Sequence, residues 1–315
     1  MTESYFIGID VSKANLDAFF HPNGLYKRYP NTAPGRRSLI ADLSRMRVSL
    51  VVFEASGGYE RALRQTLTNT DMPHACVQPM RVHNFLQAQG YKAKTDRLDA
   101  KALALFAAAG MAKPAPAQDE DLLALRDMTR AVTLIRKQTA TLKCQMEKLD
   151  CGYGKNALEA LVQSCAEQEK ALLKALRTFV KDHAKLQKRV ELLSSMPGVG
   201  FYTACVVLSE LPEIGTCSKA EIAALTGTAP FIRQSGQWQG KASIKGGRHY
   251  ARKALYMAAL TASRFNPEFK RIYEKLRTKG KSFKVAITAI MRRIAVALNA
   301  MVKNNRSWND FYPCF

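Results

Sequence analysis

Acidic residues are scarce in this chain. Against 48 Lys and Arg there are 26 Asp and Glu in 315 residues, a formal net charge of +22. No apolar run approaches the roughly 18–20 residues that cross a bilayer, so no membrane span is expected. Met1–Lys13 has no basic stretch leading into an apolar one, so no secretory leader is expected. The seven cysteines form no Cys-x-x-Cys pair. An odd, scattered set without a leader reads as reduced thiols in a cytosolic protein. What is abundant is apolar residues, 47 % of the chain, enough for sizeable cores and too many for a disordered chain. The length suggests two or three domains.

A cationic surplus of this size calls for an acidic partner, and nucleic acid is the first candidate. The surplus is uneven. Residues 1–118 hold 15 basic and 9 acidic groups, 119–190 hold 14 and 10, and 191–315 hold 19 and 7. The N-terminal third is closer to balance, and its acids fall at the ends of expected elements.

Tyr5-Phe6-Ile7-Gly8-Ile9-Asp10 reads as a strand ending in an acid. Leu16–Phe20 alternates and can pair with it, His21-Pro22-Asn23-Gly24 reads as a turn, and Leu25–Tyr29 as a third strand. Residues 38–46 have helical spacing. Leu50-Val51-Val52-Phe53-Glu54 is a buried-strand pattern, again ending in an acid, followed by a helix over 59–67 and a strand over 74–77. Three consecutive strands followed by alternating helix and strand is the order of a ribonuclease-H-like α/β sheet. Sites in open sheets lie beyond the carboxyl ends of adjacent strands, where Asp10 and Glu54 fall.

Asp96 and Asp99 lie three apart at the start of an Ala- and Leu-rich helix. Acids there also serve as caps and dipole partners. Four carboxylates in this order have a joint use, however. They repel and raise one another's pKa, and hard divalent cations such as Mg²⁺ let them ionise together. Two such ions activate a nucleophile and stabilise a leaving oxygen in phosphoryl transfer.

Pro114-Ala115-Pro116-Ala117 reads as a linker. Leu125, Met128, Val132, Ile135, Leu142, Met146 and Leu149 then follow heptad spacing, and Leu158–Val180 resumes it after Cys151-Gly152-Tyr153-Gly154. An antiparallel helical hairpin with a part in self-association is expected. The division is therefore residues 1–112, 119–188 and 190–315, an α/β domain followed by two mostly helical ones.

In the last third, Met196-Pro197-Gly198-Val199-Gly200 between apolar runs is a helix-hairpin-helix pattern. Its turn would offer N–H groups at Gly198 and Gly200 to a phosphate. Ser235 is a candidate nucleophile, in a Gly-flanked segment with Arg233 before it and Lys241, Lys245, Arg248, Arg252 and Lys253 after it. A serine hydroxyl needs activation, and cations stabilise the charge that develops on phosphorus. Trp238 could stack on a base. Residues 270–284 form a basic stretch suited to the phosphate backbone.

Together these segments resemble one family, the DEDD transposases of bacterial insertion sequences, a group related to pilin-gene invertases. The resemblance rests on Gly8-Ile9-Asp10, Phe53-Glu54-Ala55-Ser56-Gly57 and Lys94-Thr95-Asp96-Arg97-Leu98-Asp99-Ala100. It continues in Met196–Gly200 and in Ser235-Gly236 with Gly240, Ile244-Lys245, Gly247, Arg252 and Leu255-Tyr256. It implies a RuvC-like domain in which Asp10, Glu54, Asp96 and Asp99 bind Mg²⁺, and a covalent phosphoserine at Ser235. It further implies dimers or tetramers, a structured bridge RNA that guides some members to donor and target DNA, and work on the bacterial nucleoid in the cytoplasm. The rival reading is a Mg²⁺-dependent nuclease or junction resolvase that uses water. A sugar-kinase or actin-like ATPase, whose first strand also ends Gly-x-Asp, is disfavoured because no Gly-rich phosphate loop is present.

Overall fold

The structure, a computed structural model, describes residues 4–90, 95–114, 119–232, 234–235, 238–240 and 243–311. For Gln234, Ser235, Trp238, Gln239 and Phe311 it describes the backbone alone. The chain divides into two compact units, Met1–Ala117 and Gln118–Phe315.

The first unit is a mixed sheet with helices on both faces. Strands β1 (Tyr5–Val11), β2 (Asn15–His21) and β3 (Leu25–Pro30) form an antiparallel meander. Helix α1 (Ala33–Leu43) follows, capped at Thr32, whose hydroxyl accepts from Gly35 N–H. It begins five residues before the apolar spacing does, because Thr32 and Pro34 supply the start signal. Strand β4 (Val48–Glu54) runs parallel to β1, and α2 (Arg61–Asn69) leads to β5 (His74–Val77), parallel to β4. The sheet order is β3-β2-β1-β4-β5. This five-stranded mixed α/β arrangement is consistent with a ribonuclease-H-like unit. Helix α3 (Pro79–Ala88), not anticipated from the residue pattern, and α4 (Asp96–Ala108) complete it.

Strand alternation sorts the two faces. Ile7, Ile9, Val51 and Phe53 pack with Leu39 and Leu43 of α1 and with Leu63 and Leu67 of α2. Leu50 and Val52 pack with Leu103 and Phe106 of α4, and Phe19 packs with Ala100 and Ala104. Helix α4 thus lies across β1, β2 and β4 on one face.

The second unit opens with α5 (Glu120–Met146) and α6 (Gly152–Asp182), which form a hairpin. Val132 and Leu176 are fully buried at its base, while Leu161 stays half exposed. Helices α7 (Ala184–Ser194), α8 (Phe201–Glu210) and α9 (Lys219–Leu225) follow. Two short strand pairs come next, β6 (Pro230–Phe231) with β9 (Ser243–Ile244), and β7 (Gln234–Ser235) with β8 (Trp238–Gln239). Helices α10 (His249–Phe265), α11 (Pro267–Thr278), α12 (Phe283–Asn304) and α13 (Trp308–Phe311) close the unit.

Leu125 and Val180 of the hairpin share one core with Leu208, Leu255, Ile290 and Leu298. Helix α12 is long and apolar enough to cross a membrane by composition. However, Arg292 and Arg293 sit in its middle, and more than half of its apolar window is buried in this core. Its one buried amide is satisfied on both sides: Asn299 accepts from Gly215 N–H at 2.8 Å and donates to Cys217 O at 2.7 Å.

Candidate active site

Asp10 and Asp17 stand opposite each other in the β1–β2 ladder, and Asp17 stands opposite Arg28 in the β2–β3 ladder. Glu54 ends β4, one residue beyond the Ile9–Phe53 pair. By alternation, Arg28, Asp17, Asp10 and Glu54 form one row across the sheet, on the face that carries α4. Helix α4 starts at this level. Thr95 caps it, its hydroxyl accepting from Leu98 N–H at 3.2 Å, and Asp96 and Asp99 occupy its first turn. One sheet face therefore gathers all four carboxylates expected from the sequence.

The electrostatics agree with this crowding. Burial pushes the Asp10 carboxyl above the usual aspartate range, and Asp99, Asp96 and Asp17 push it further. The donors are all hard carboxylate oxygens, the chemistry that suits a divalent cation of the Mg²⁺ type. Among the described residues no three Asp, Glu, His or Cys side chains already stand close enough to hold an ion between them.

Two residues of this row, Asp17 and Arg28, were not among the candidates read from the sequence. Asp17 is 2 % exposed and accepts from Tyr26 Oη and, at 2.7 Å, from Arg28 Nε. The same guanidinium reaches Asp96 Oδ2 through Nη2 at 3.0 Å. Arg97 lies over the Tyr26 ring at 5.5 Å. A buried acid thus pins an arginine, and the arginine holds one of the four carboxylates. The paired register Asp17↔Arg28 was in principle readable, but only once the turn at residues 21–24 had fixed the alignment.

After Glu54, the turn at Ser56–Gly58 wraps the Glu60 carboxylate, which accepts from Ser56 N–H, Ser56 Oγ and Gly58 N–H at 3.1, 3.0 and 2.8 Å. Burial works against ionisation of Glu60, but its own N–H and those hydrogen bonds outweigh it and hold its pKa below the glutamate range. Glu60 therefore serves the turn that follows Glu54.

In the second unit, Ser235 lies in strand β7, its backbone paired with Trp238 of β8, where the sequence pointed to a loop. Arg233, Gly236 and Lys241 lie outside the described residues. Lys245 and Lys253 are exposed. Arg248 is engaged inside the fold: it forms a bidentate pair with Glu213 at 2.6 and 2.5 Å and donates to Glu210 O at 2.6 Å. Arg252 donates to Gly246 O at 2.5 Å.

Gly198 has φ +104°, and a Cβ there would lie 2.7 Å from Ala262 Cβ, so packing against α10 demands this glycine. Gly200 is exposed and caps α8, with nothing within 4 Å of where its Cβ would be.

A mixed α/β unit with carboxylates on one face, followed by a basic helical unit, suits an enzyme of metal-assisted phosphoryl transfer on nucleic acid. Comparison with known proteins agrees. A DEDD-type transposase model matches residues 7–149, and the Transposase IS116/IS110/IS902 family model matches residues 190–274. The pilin gene-inverting protein of Moraxella bovis is 25 % identical over 320 residues, covering 98 % of each chain, and that of Moraxella lacunata matches equally. An IS110 insertion-element protein of Streptomyces coelicolor is 27 % identical over 170 residues, covering 51 % of this chain and 41 % of its own. The chain belongs to the IS110 family of DEDD transposases and is a DNA transposase/recombinase.

Proposed function

We propose that this transposase cleaves and rejoins DNA through a phosphoserine at Ser235, supported by Mg²⁺ held on Asp10, Glu54, Asp96 and Asp99. The observation that carries the reading is that Asp10 and Glu54 fall in one row on the sheet face that carries α4, whose first turn holds Asp96 and Asp99. In this reading residues 1–112 act as a RuvC-like domain, 119–188 as a hairpin for self-association into dimers or tetramers, and 190–315 as the serine-bearing domain. The last includes a helix-hairpin-helix over α7 and α8.

Ser235 Oγ attacks phosphorus and loses its proton. A P–O bond to serine forms as one strand P–O bond breaks, and the departing deoxyribose oxygen takes up a proton. Attack of another strand's hydroxyl on the phosphoserine reverses the sequence, so the number of ester bonds is kept and no nucleotide hydrolysis is needed. When bound, the metal supplies charge neutralisation at the phosphate. Lys245 and Lys253 supply exposed positive charge for the DNA backbone. The basic surplus serves a bridge RNA as well as DNA.

Incubation with supercoiled substrate and Mg²⁺, followed by mass spectrometry, tests this. A covalent DNA adduct on Ser235, absent in Ser235→Ala and in Asp10→Asn, is expected. Normal cleavage by Ser235→Ala would replace the serine mechanism with a water-using nuclease. A structured RNA that co-purifies with the protein is expected, and its absence would remove the guide.

A further inference from the structure

Helix α12 packs ten of its 22 residues into the core, but one stripe is open. Val285, Thr288, Ala289, Arg292, Arg293 and Val296 recur at helical spacing and line a cleft of about 740 Å³. The volume falls within the range of about 300–1,000 Å³ typical of sites for small organic groups. Helix α11 and the paired strands β6 and β9 form its other walls, through Ile272, Pro230 and Ile244. Its floor is a stacked aromatic pair, Phe269 and Trp308, with centroids 5.6 Å apart.

The wall is mainly apolar, yet four cations stand on it, Lys219, Lys284, Arg292 and Arg293. All four are exposed. No described carboxylate pairs with any of them, and the one carboxylate on the wall, Glu268, is taken by Arg271 at 3.0 Å. The site therefore offers an apolar slot and uncompensated positive charge together.

A surface that only grips phosphates needs cations and no cavity. A cleft of this volume with mainly apolar walls fits a flat, weakly hydrated group attached to an anion. In a basic DNA-processing protein that group is a nucleobase. A duplex keeps its bases stacked inside, so only an unpaired nucleotide can present one here. We propose that this cleft binds an unpaired base of a nucleic-acid strand, with Lys284, Arg292 and Arg293 on the flanking phosphates. The proposal rests on the transposase reading and adds to it a second, non-catalytic contact beside the strands that lead to and from Ser235.

The test compares binding of the full chain to an oligothymidylate strand and to an abasic strand of equal length and charge, by fluorescence anisotropy at several salt concentrations. The base-bearing strand should bind about tenfold more tightly. Ala289→Phe fills the cleft from a partly open helix face. It should erase that preference and leave the abasic affinity and its salt slope unchanged. Thr288→Met serves as a second filling variant with the same expected result.

Equal binding of both strands by the wild type, or a preference that survives both fillings, overturns the cleft assignment. Failure to bind either strand overturns the nucleic-acid reading itself. A change in oligomeric state on filling, measured by light scattering with the base preference intact, makes the occupant a second copy and overturns the proposal.

Discussion

Gly8 of β1 meets Ala100 of α4 backbone to backbone: a Cβ on Gly8 would lie 2.0 Å from the Ala100 carbonyl oxygen and 2.4 Å from Ala104 N. This approach sets the height of α4 over the sheet, and with it the position of Asp96 and Asp99 relative to Asp10. Gly8 is therefore required by packing two residues before the acid that it helps to surround.

Gly8→Ala is expected to destabilise the first unit by about 1–3 kcal/mol or more, the usual cost of overpacking, because backbone must move. Strand transfer should fall with it, since α4 carries two of the carboxylates. Gly152→Ala is the control: it opens α6 with nothing within 4 Å of its added Cβ. Thermal melting of both variants checks the contrast, and an unchanged melting temperature for Gly8→Ala would refute the packing argument.

Asp10→Asn should abolish strand transfer yet raise stability in metal-free buffer, by roughly 0.5–2 kcal/mol. The sign follows from the raised Asp10 pKa. Burial and the charges of Asp99, Asp96 and Asp17 disfavour the Asp10 carboxylate in the folded state, and the amide removes that charge. Urea denaturation of both proteins, with and without Mg²⁺, measures it. The advantage of the variant should shrink when Mg²⁺ is present.

Arg28→Met leaves the buried Asp17, among the described residues, with its Tyr26 hydrogen bond alone, and should lower the melting temperature of the first unit. It also releases Asp96 from a competing cation, so affinity for a divalent ion should rise severalfold. Titration with Mn²⁺ monitored by electron paramagnetic resonance reads the second effect. Weaker Mn²⁺ binding would mean that Arg28 holds Asp96 in its ligating position.

Arg248 and Lys253 should separate cleanly. Arg248→Met breaks the bidentate pair with Glu213, whose carboxyl is held below the glutamate range by Arg248 despite partial burial. It should destabilise the second unit. Lys253→Met should leave melting unchanged, weaken DNA binding for all sequences alike and lower the salt slope by about one. DNA titrations at several salt concentrations, paired with melting curves, distinguish the two.

Much of the first unit was legible because its signals are local. Strand alternation, the turn at His21–Gly24 and the apolar run before Glu54 depend on neighbours in sequence. The four acids were legible for the same reason, each lying at an element's end. The boundaries of α10 were less so. Its first turn, from His249, carries little apolar periodicity, and it becomes helical because Ala251 and Leu255 are buried in the core.

By itself, the sequence determined the polarised charge and the strand order of the first unit and pointed to four carboxylates, since these follow from residue type and short-range spacing. Only the tertiary structure decided that Arg28, paired with Asp17, also reaches Asp96 on α4. It also decided that Arg248 is tied to Glu213 and that the open stripe of α12 faces a cleft. Those facts depend on which ladder positions and helix faces meet across long stretches of chain. Such meetings are fixed by close packing of whole elements, as at Gly8 and Ala100, and not by any residue's own preference.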